Sequence, residues 1–208
     1  MEIQCKFWEQ GCEYLGPRLA MQDHLDVCSF RKIECQFWPC QEMVSSKKLV
    51  NHLKVDHDGV SEWPVDGYGR VHNFDWIWGS MVLQWSDMNA VASDMTSMPQ
   101  IARFDGQTFI LQNVIKNYAW KWWVTLLGDE KEAKKYEVKM DVRRDGCLLN
   151  VSFWSKVYST DNGKIDVLKD DKGILELSQN QVRMLSKMED ATVWCMIKYQ
   201  IIRKKQVM

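Results

Sequence analysis

Two matched sets of cysteine and histidine near the N-terminus constrain this chain more than any other feature. The first set reads Cys5-x6-Cys12-x11-His24-x3-Cys28, and the second reads Cys35-x4-Cys40-x11-His52-x4-His57. The agreement extends to neighbouring residues, since Cys5-Lys6-Phe7-Trp8 matches Cys35-Gln36-Phe37-Trp38. A repeat of about thirty residues follows from these spacings.

The ligand types and their intervals are those of structural zinc sites. A close pair of cysteines on a turn presents two thiolates, and a helical segment then supplies the other two ligands. His24 and Cys28 are four positions apart and so are expected on one helix face, whereas the wider step from His52 to His57 fits a loosened last turn. The alternative is that these residues are buried free cysteines and incidental histidines. The pattern favours two structural Zn²⁺ ions, each with a shell filled by protein atoms.

The rest of the chain has the pattern of a β-rich domain, so we divide the sequence into residues 1–58, the tandem zinc fingers, and residues 59–208. Apolar and polar residues alternate from Tyr136 to Arg143, as in a strand with one wet face. Further strands are predicted at His72 to Trp85, Thr108 to Ile115, Tyr118 to Leu127, Leu148 to Val157, Gly173 to Leu177 and Thr192 to Ile202. A capping box beginning at Ser178 predicts one helix over 178–188. Strands without alternating helices favour an antiparallel two-sheet sandwich.

Charge argues against nucleic acid and membrane surfaces as partners. The net charge is −1, with acidic and basic residues nearly balanced. Phosphate recognition usually requires an excess of Lys and Arg, and Asp23, Asp26 and Asp56 crowd the finger helices. The N-terminus has no apolar leader, and no apolar run is long enough to span a membrane. We expect a soluble cytoplasmic protein that could also enter the nucleus.

Few residues remain for catalysis once the metal ligands are assigned. His72 is the only histidine outside the two sets, and Cys147 and Cys195 lie within strand patterns, where cysteine is usually a small buried hydrophobe. No glycine-rich phosphate loop or glycine-flanked serine occurs. The 11 tryptophans are interpreted as dispersed core packing, with Trp8 and Trp38 in the fingers and Trp120, Trp122, Trp123, Trp154 and Trp194 in strands.

These features together resemble the seven-in-absentia family, in which a double zinc finger precedes a TRAF-like β-sandwich that binds substrates. The resemblance is carried mainly by the eight ligands, and less tightly by Asp75-Trp76, Phe104-Asp105-Gly106-Gln107, Tyr136-Glu137-Val138 and the segment from Asp190 to Ile201. Two departures are His52-x4-His57 and a shorter linker. The fold expected from the resemblance is mainly β, a TRAF-like antiparallel β-sandwich preceded by two small zinc-finger modules.

The resemblance also implies a function. Family members are ubiquitin ligases that dock the conjugating enzyme through a RING domain, and no second cross-braced Cys/His set occurs in this sequence. We therefore expect a substrate-recognition part that does not transfer ubiquitin by itself and that works with a separate RING ligase. A short extended segment of a partner protein is expected to add to an edge strand.

Three further expectations remain open at this stage. We hypothesise that Trp76 and Trp78 line the peptide groove, the alternative being core packing. The resemblance implies a homodimer formed through the sandwich. Alternative functions are a TRAF-like signalling scaffold without a link to ubiquitin and, less favoured, a zinc-finger nucleic-acid-binding protein.

Overall fold

The computed structural model describes most of the two fingers and the greater part of the sandwich. The described residues are 1–37, 40–58, 60–63, 65, 67, 95–96, 98–117, 119–143, 150–162, 173–185, 187–189, 192–194 and 196–204. Several sequence-based predictions lie outside them, namely those for Trp38, the strand from His72 to Trp85 with Trp76 and Trp78, Cys147 and Cys195. Within the described part, none of the helices has the length and apolar character needed to cross a bilayer.

The two fingers share one ββα arrangement, as the repeat predicts. The first contains β1 (Glu2–Gln4), β2 (Leu15–Pro17) and α1 (Met21–Val27), and the second contains β3 (Lys32–Glu34), β4 (Met43–Ser45) and α2 (Leu49–Asp56). Each pair of strands is antiparallel, with Ile3 opposite Gly16 and Ile33 opposite Val44. A small apolar core then lies between hairpin and helix in each unit.

Both finger helices end before their last metal ligand. Cys28 follows α1 with an extended backbone (φ −61°, ψ 122°), and His57 follows α2 in the same way (φ −130°, ψ 104°). The prediction that His24 and Cys28 share one helix face is therefore wrong for Cys28. The loosened last turn predicted for His57 is confirmed, and it occurs in both fingers.

The remaining elements build a β-sandwich. In chain order they are β5 (Glu62–Trp63), β6 (Met95–Thr96), β7 (Gln100–Phe104), β8 (Gln107–Lys116), β9 (Ala119–Leu126), α3 (Glu130–Ala133), β10 (Tyr136–Arg143), β11 (Asn150–Lys156), β12 (Tyr158–Ser159), β13 (Leu175–Ser178), α4 (Gln179–Leu185), β14 (Lys187–Glu189), β15 (Thr192–Trp194) and β16 (Met196–Arg203). The predicted mainly β fold with two N-terminal metal-binding modules is thus confirmed.

The larger sheet is centred on β8 and β9. Strand β7 pairs with β8 through a two-residue turn at Asp105 and Gly106, whose φ angles of 53° and 72° match the left-handed conformation that such turns require. Strands β12 and β13 both pair with β9, and β5 pairs with β7. The β5–β7 and β12–β9 pairings are parallel, which departs from the purely antiparallel sheet that we predicted.

The second sheet has the order β11-β10-β16, with all described pairings antiparallel. Its apolar face packs against one face of the larger sheet. Residues of this core are Phe109, Leu111, Trp122, Val124, Leu126, Val138, Met140, Ile197, Tyr199 and Ile201. The core accounts for the period-two pattern of β10, since Val138 and Met140 are fully buried.

The other face of β8 and β9 is also covered. Every residue of β9 is buried, and so are the seven residues of β8 from Phe109 to Ile115. Ile110 packs against the second finger, while Val114 and Trp123 form a separate cluster with Tyr158 and Ile174. Strands covered on both faces are usually apolar along their whole length, and β8 and β9 are so except for four buried polar residues, Gln112, Asn113, Lys121 and Thr125.

Two local predictions differ from the structure. The helix predicted over 178–188 ends at Leu185, because Lys187–Glu189 forms β14 paired with β15. Its capping box is confirmed: the Ser178 main-chain N–H donates to Gln181 Oε1 at 2.8 Å, and the Gln181 N–H donates to Ser178 Oγ at 3.4 Å. A second helix of the sandwich, α3, was not predicted, although Asp129 caps it by accepting from the Glu132 N–H at 2.6 Å.

Two tryptophans interpreted as core residues lie on the surface. Trp8 is 42% exposed and Trp154 is 54% exposed. Trp154 alternates along β11 with Phe153 and Ser155, which point to the opposite, inward side. Trp120, Trp122 and Trp123 are buried, as predicted.

Candidate zinc centres and their attachment to the sandwich

The first cluster brings Cys5, Cys12, His24 and Cys28 together, with one ligand atom from each residue and all four atoms within 4.8 Å of one another. The Cys5 and Cys28 sulfurs are 3.9 Å apart, and the Cys28 and Cys12 sulfurs are 3.6 Å apart. The Cys12 sulfur lies 3.4 Å from Nε2 of His24. The histidine therefore faces the cluster through Nε2.

The second cluster brings Cys35, Cys40, His52 and His57 together in the same way. Cys35 Sγ lies 3.3 Å from His57 Nε2, and Cys40 Sγ lies 3.7 Å from His52 Nε2. The two Nε2 atoms are 3.2 Å apart. Both histidines thus present the same ring nitrogen to a common point.

The observed separations match those of a tetrahedral zinc shell. Zn–S bonds of about 2.3 Å and Zn–N bonds of about 2.0 Å give edges of roughly 3.8 Å between two sulfurs, 3.5 Å between sulfur and nitrogen, and 3.3 Å between two nitrogens. The distances in both clusters lie close to these values. The Cys₃His and Cys₂His₂ donor sets are also those of structural zinc.

Local backbone geometry explains how the ligands converge. The main-chain N–H of Phe7 donates to the Cys5 sulfur at 3.4 Å, and the N–H of Phe37 donates to the Cys35 sulfur at 3.5 Å. These hydrogen bonds hold the first cysteine of each finger at a tight turn after β1 or β3. The helices α1 and α2 then place His24 and His52 beside the cysteine pair.

The residues around the ligands orient them differently in the two fingers. In the second finger, Nδ1 of His52 donates to Asp56 Oδ2 at 2.6 Å, which fixes Nε2 as the free nitrogen. In the first finger, the Tyr14 ring stacks on His24 with centroids 3.8 Å apart and planes 4° apart. A carboxylate partner strengthens a histidine ligand electronically, whereas stacking mainly fixes its position.

The pKa values of the ligands reflect burial, hydrogen bonds and neighbouring charges. Burial raises the pKa of the Cys28 thiol to about 11. Burial also raises the pKa of Cys12, but hydrogen bonds from the Tyr14 main chain and from Cys28 and Cys5 outweigh it, so this pKa is lowered. Burial and the neighbouring His52 lower the pKa of His57, favouring the neutral imidazole that binds metal. A bound cation is what stabilises three thiolates in such a site.

Protein atoms fill all four positions of each shell. Catalytic zinc sites keep a position open for water or substrate, and neither cluster does. The residues of both clusters therefore fit zinc ions with a structural role.

The second finger packs against the face of the larger sheet that points away from the smaller sheet. Ile33, Cys35, Leu49 and Leu53 form one buried cluster with Ile110 of β8. Beside it, the Gln112 side-chain amide donates to the main-chain carbonyl of Gln36. Gln112 Oε1 accepts from Thr125 Oγ1 at 2.8 Å. Cys35 belongs to both the metal site and this interface.

Ion pairs add two further links between the fingers and the sandwich. Glu62 of β5 accepts from Lys54 of α2 and from Arg103 of β7, both at 2.6 Å. Hydrogen bonds from these two cations lower the pKa of the Glu62 carboxyl. At the junction of the two fingers, Arg31 pairs with Asp161, which follows β12. Sequence reasoning did not find these contacts.

The predicted peptide residues Trp76 and Trp78 lie outside the described residues. Of the residues that sequence reasoning missed, Asp56 had a detectable signal, since it is an acid four positions after His52 in a helix. No sequence signal pointed to Gln36, Gln112 or Thr125, because their role depends on contacts between distant parts of the chain.

The fold and the two clusters define a zinc-finger protein with a β-sandwich attached. Residues 17–52 match the family model described as the TRAF-type zinc finger. That match contains five of the eight ligands, His24, Cys28, Cys35, Cys40 and His52. Among solved structures, TRAF5 of Notothenia coriiceps is similar over 78% of this chain and 86% of its own, with a TM-score of 0.42 and 12% identity.

Proposed function

We propose that this chain is a protein-recognition module in which two zinc-stabilised fingers brace a β-sandwich that binds short extended segments of partner proteins. The observation that carries the proposal is that the second finger covers the face of the larger sheet that points away from the smaller sheet. Ile110 is fully buried and Gln112 is 6% exposed beneath the second finger. The zinc shells are closed, so they support architecture and provide no reactive centre.

The edge of the smaller sheet supports peptide binding. Strand β11 pairs with β10 on one side, and within the described ranges no strand pairs with its other side. An edge strand offers free main-chain groups to an added strand, and side-chain pockets then give specificity. Trp154 projects from β11 with 54% of its surface exposed and would contribute an aromatic contact. Trp76 and Trp78 remain proposed contributors to the groove.

Two outcomes of such recognition are proposed. In one, the chain resembles the substrate-binding part of a seven-in-absentia ligase and delivers targets for ubiquitin-dependent degradation with a separate RING ligase. In the other, it is a TRAF-like signalling scaffold. The match of residues 17–52 supports a TRAF-type finger and suits both outcomes equally. A cytoplasmic homodimer formed through the sandwich is part of the proposal.

Affinity capture from cell extract, with and without a zinc chelator, tests this function. We expect zinc-dependent partners that are lost on chelation. Capture of a RING ligase with a client that becomes more stable when the chain is removed supports the degradation outcome. Capture of receptor tails without a ligase supports the scaffold. A salt-dependent sub-micromolar shift of duplex DNA would overturn both.

A pair of tryptophan variants locates the binding surface. Trp154→Ala should reduce the affinity for the captured partner by about tenfold, as removal of a central aromatic contact does. Trp8→Ala is the matched control, because Trp8 is 42% exposed but lies in the first finger. Unchanged binding by folded Trp154→Ala would exclude β11 as the groove.

A further inference from the structure

The repeat places different side chains at the same position beside the two metal sites. In both fingers, eleven residues separate the second cysteine from the helix histidine, and this spacing aligns Tyr14 with Glu42. The Tyr14 main-chain carbonyl accepts a hydrogen bond from the Cys5 N–H at 3.1 Å. The Glu42 carbonyl accepts from the Cys35 N–H in the same way, at 2.8 Å. The side chains of Tyr14 and Glu42 thus start from equivalent points of the backbone.

Carboxylates support the helix histidine of the second finger. Asp56 Oδ2 lies 2.6 Å from Nδ1 of His52, and Glu42 Oε2 lies 3.7 Å from the same nitrogen. In the aligned first finger, Cys28 takes the position of Asp56 and is itself a metal ligand. Tyr14 takes the position of Glu42. Neither carboxylate therefore has a counterpart at the aligned positions of the first finger.

An aromatic ring supports the helix histidine of the first finger instead. The Tyr14 ring lies parallel to the His24 ring, with 3.8 Å between the centroids. The same ring lies close to Gly16 of β2. A Cβ atom at Gly16 would come within 2.6 Å of the Tyr14 hydroxyl oxygen and 2.8 Å of Cζ. These separations are well below van der Waals contact, so a side chain at position 16 would displace the ring.

The ring, and not the backbone, requires glycine at position 16. The φ angle of Gly16 lies outside the left-handed region that favours glycine. The equivalent residue of the second finger is Val44, which pairs with Ile33 as Gly16 pairs with Ile3. A larger residue is therefore accommodated in the finger that has a carboxylate beside its histidine, and glycine occurs in the finger that has the ring.

The ligand sets explain why the two supports differ. Three thiolates give the first site a net negative charge around Zn²⁺, whereas two thiolates neutralise the ion at the second site. A carboxylate beside the neutral second site strengthens its histidine ligand. At the first site an added carboxylate would meet like charge, and an uncharged ring avoids this repulsion.

We propose that Tyr14 and Gly16 are positioning residues of the first zinc site. Tyr14 orients His24 by stacking, so that Nε2 points at the metal, and Gly16 leaves the space that the stacked ring needs. The pair performs for the three-thiolate site the orienting role that Asp56 and Glu42 perform for the second site. This role is independent of any partner that the sandwich binds.

Loading the full chain with Cd²⁺ in place of zinc separates the two sites, because Cys₃His and Cys₂His₂ shells give different cadmium NMR resonances. Titration with a metal chelator then measures both affinities in one sample. We expect Tyr14→Ala to lower the affinity of the first site by about tenfold or more, as loss of a group that orients a metal ligand does. The second resonance is the internal control and should not change.

Tyr14→Phe is the conservative variant. It retains the stacked ring, so its first-site affinity should stay within about twofold of that of the original chain. Equal first-site affinity of Tyr14→Ala and the original chain would overturn the proposal, as would an equal loss in Tyr14→Phe and Tyr14→Ala.

Gly16→Ala tests whether the glycine acts through the ring. It should lower the first-site affinity severalfold in the original chain and have no further effect in the Tyr14→Ala background, because the ring that it displaces is then absent. An equal loss in both backgrounds, or no loss in the original chain, would contradict the role given to Gly16.

The ring protons of His24 report the stacking directly. A parallel aromatic ring at 3.8 Å shifts these proton resonances to lower frequency. The shift should persist in Tyr14→Phe and diminish in Tyr14→Ala and Gly16→Ala chains that still hold Cd²⁺ at the first site. Unshifted His24 resonances in the original chain would overturn the proposal.

Tyr14→Glu and Tyr14→Gln are matched in size and separate charge from loss of the ring. Both lose the stacking, and Tyr14→Glu adds the carboxylate that the second finger has at this position. We expect Tyr14→Glu to hold the first ion less tightly than Tyr14→Gln, because its charge repels the thiolates. Equal or tighter binding by Tyr14→Glu would show that net charge does not favour the ring.

Discussion

The side chain of Gln112, on the middle of β8, donates to the main-chain carbonyl of Gln36 in the metal-binding turn of the second finger. Both residues are buried, and Gln112 also accepts from Thr125 on β9. One amide group therefore joins a zinc module to two strands of the sandwich. The second finger is therefore packed onto the sandwich and is not a separate unit joined to it only by a linker.

Replacing Gln112 should weaken this attachment. Gln112→Ala leaves the Gln36 carbonyl and the Thr125 hydroxyl without their partner, and a buried unpaired polar group costs about 1–3 kcal/mol. We expect the free energy of unfolding in urea to fall by that amount. Gln10→Ala, at an exposed position of the first finger, is the control and should change stability by less than about 0.5 kcal/mol. Equal stability of the two variants would contradict the role given to Gln112.

The two metal sites should differ in their effect on the sandwich. Cys28→Ala and Cys40→Ala should each reduce bound zinc from two ions per chain to one, measured by elemental analysis. Hydrogen exchange at the β8 amides should speed up in Cys40→Ala, because the cluster around Ile110 includes the second finger. Cys28→Ala should leave those amides protected. Equal exchange in both variants would show that the second finger is not attached as described.

The carboxylate behind His52 should tune the affinity of the second site. Asp56→Asn removes the charge that His52 Nδ1 contacts at 2.6 Å, and such changes typically reduce metal affinity by about 10–100-fold. Competition with a colorimetric chelator measures the loss, which should affect one ion of the two. Asp23→Asn, an exposed acid on α1, is the control and should retain the original affinity.

Tyr136 should make the sandwich sensitive to alkali. Burial, with the hydrogen bond to Asp105 and its charge, raises the pKa of the Tyr136 phenol from 10.0 to about 12. The folded protein keeps this proton at a pH where the unfolded chain has released it, so unfolding releases a proton and is favoured as pH rises. The free energy of unfolding should therefore decline more steeply between pH 10 and 12 in the original protein than in Tyr136→Phe.

The neutral-pH stabilities provide the reference for that comparison. Tyr136→Phe loses the 2.8 Å hydrogen bond to Asp105, while Arg203 still donates to the same carboxylate oxygen at 2.8 Å. A loss of about 1 kcal/mol is expected at neutral pH. Parallel pH profiles for the two proteins would contradict the raised pKa.

Local patterns were sufficient to predict the metal clusters and several strands. Ligand spacing located the two quartets, and alternation located β10, because both depend on residues close in sequence. The turn at Asp105 and Gly106 has a recognisable Asp-Gly signal that we did not use. The parallel pairing of β5 with β7 had no such signal, since it joins segments far apart in the chain.

Contacts over long sequence separations account for most of what was missed. Nothing in the residues around Gln112 indicates a partner at Gln36, and the exposure of Trp154 depends on which face of β11 the second sheet covers. The early end of α4 has a local cause, because β14 pairs with β15, which lies only a few residues further along the chain, and this pairing outweighs the helical pattern at Met188. Strand pairing and tertiary contacts decided these cases against helical propensity.

Cys35 is completely buried and shares one apolar cluster with Ile110. Loss of the second ion would unfold this finger and expose the apolar β surface around Ile110, the kind of surface that chaperones bind and that aggregates. We therefore expect the cellular lifetime of the protein to follow the supply of zinc.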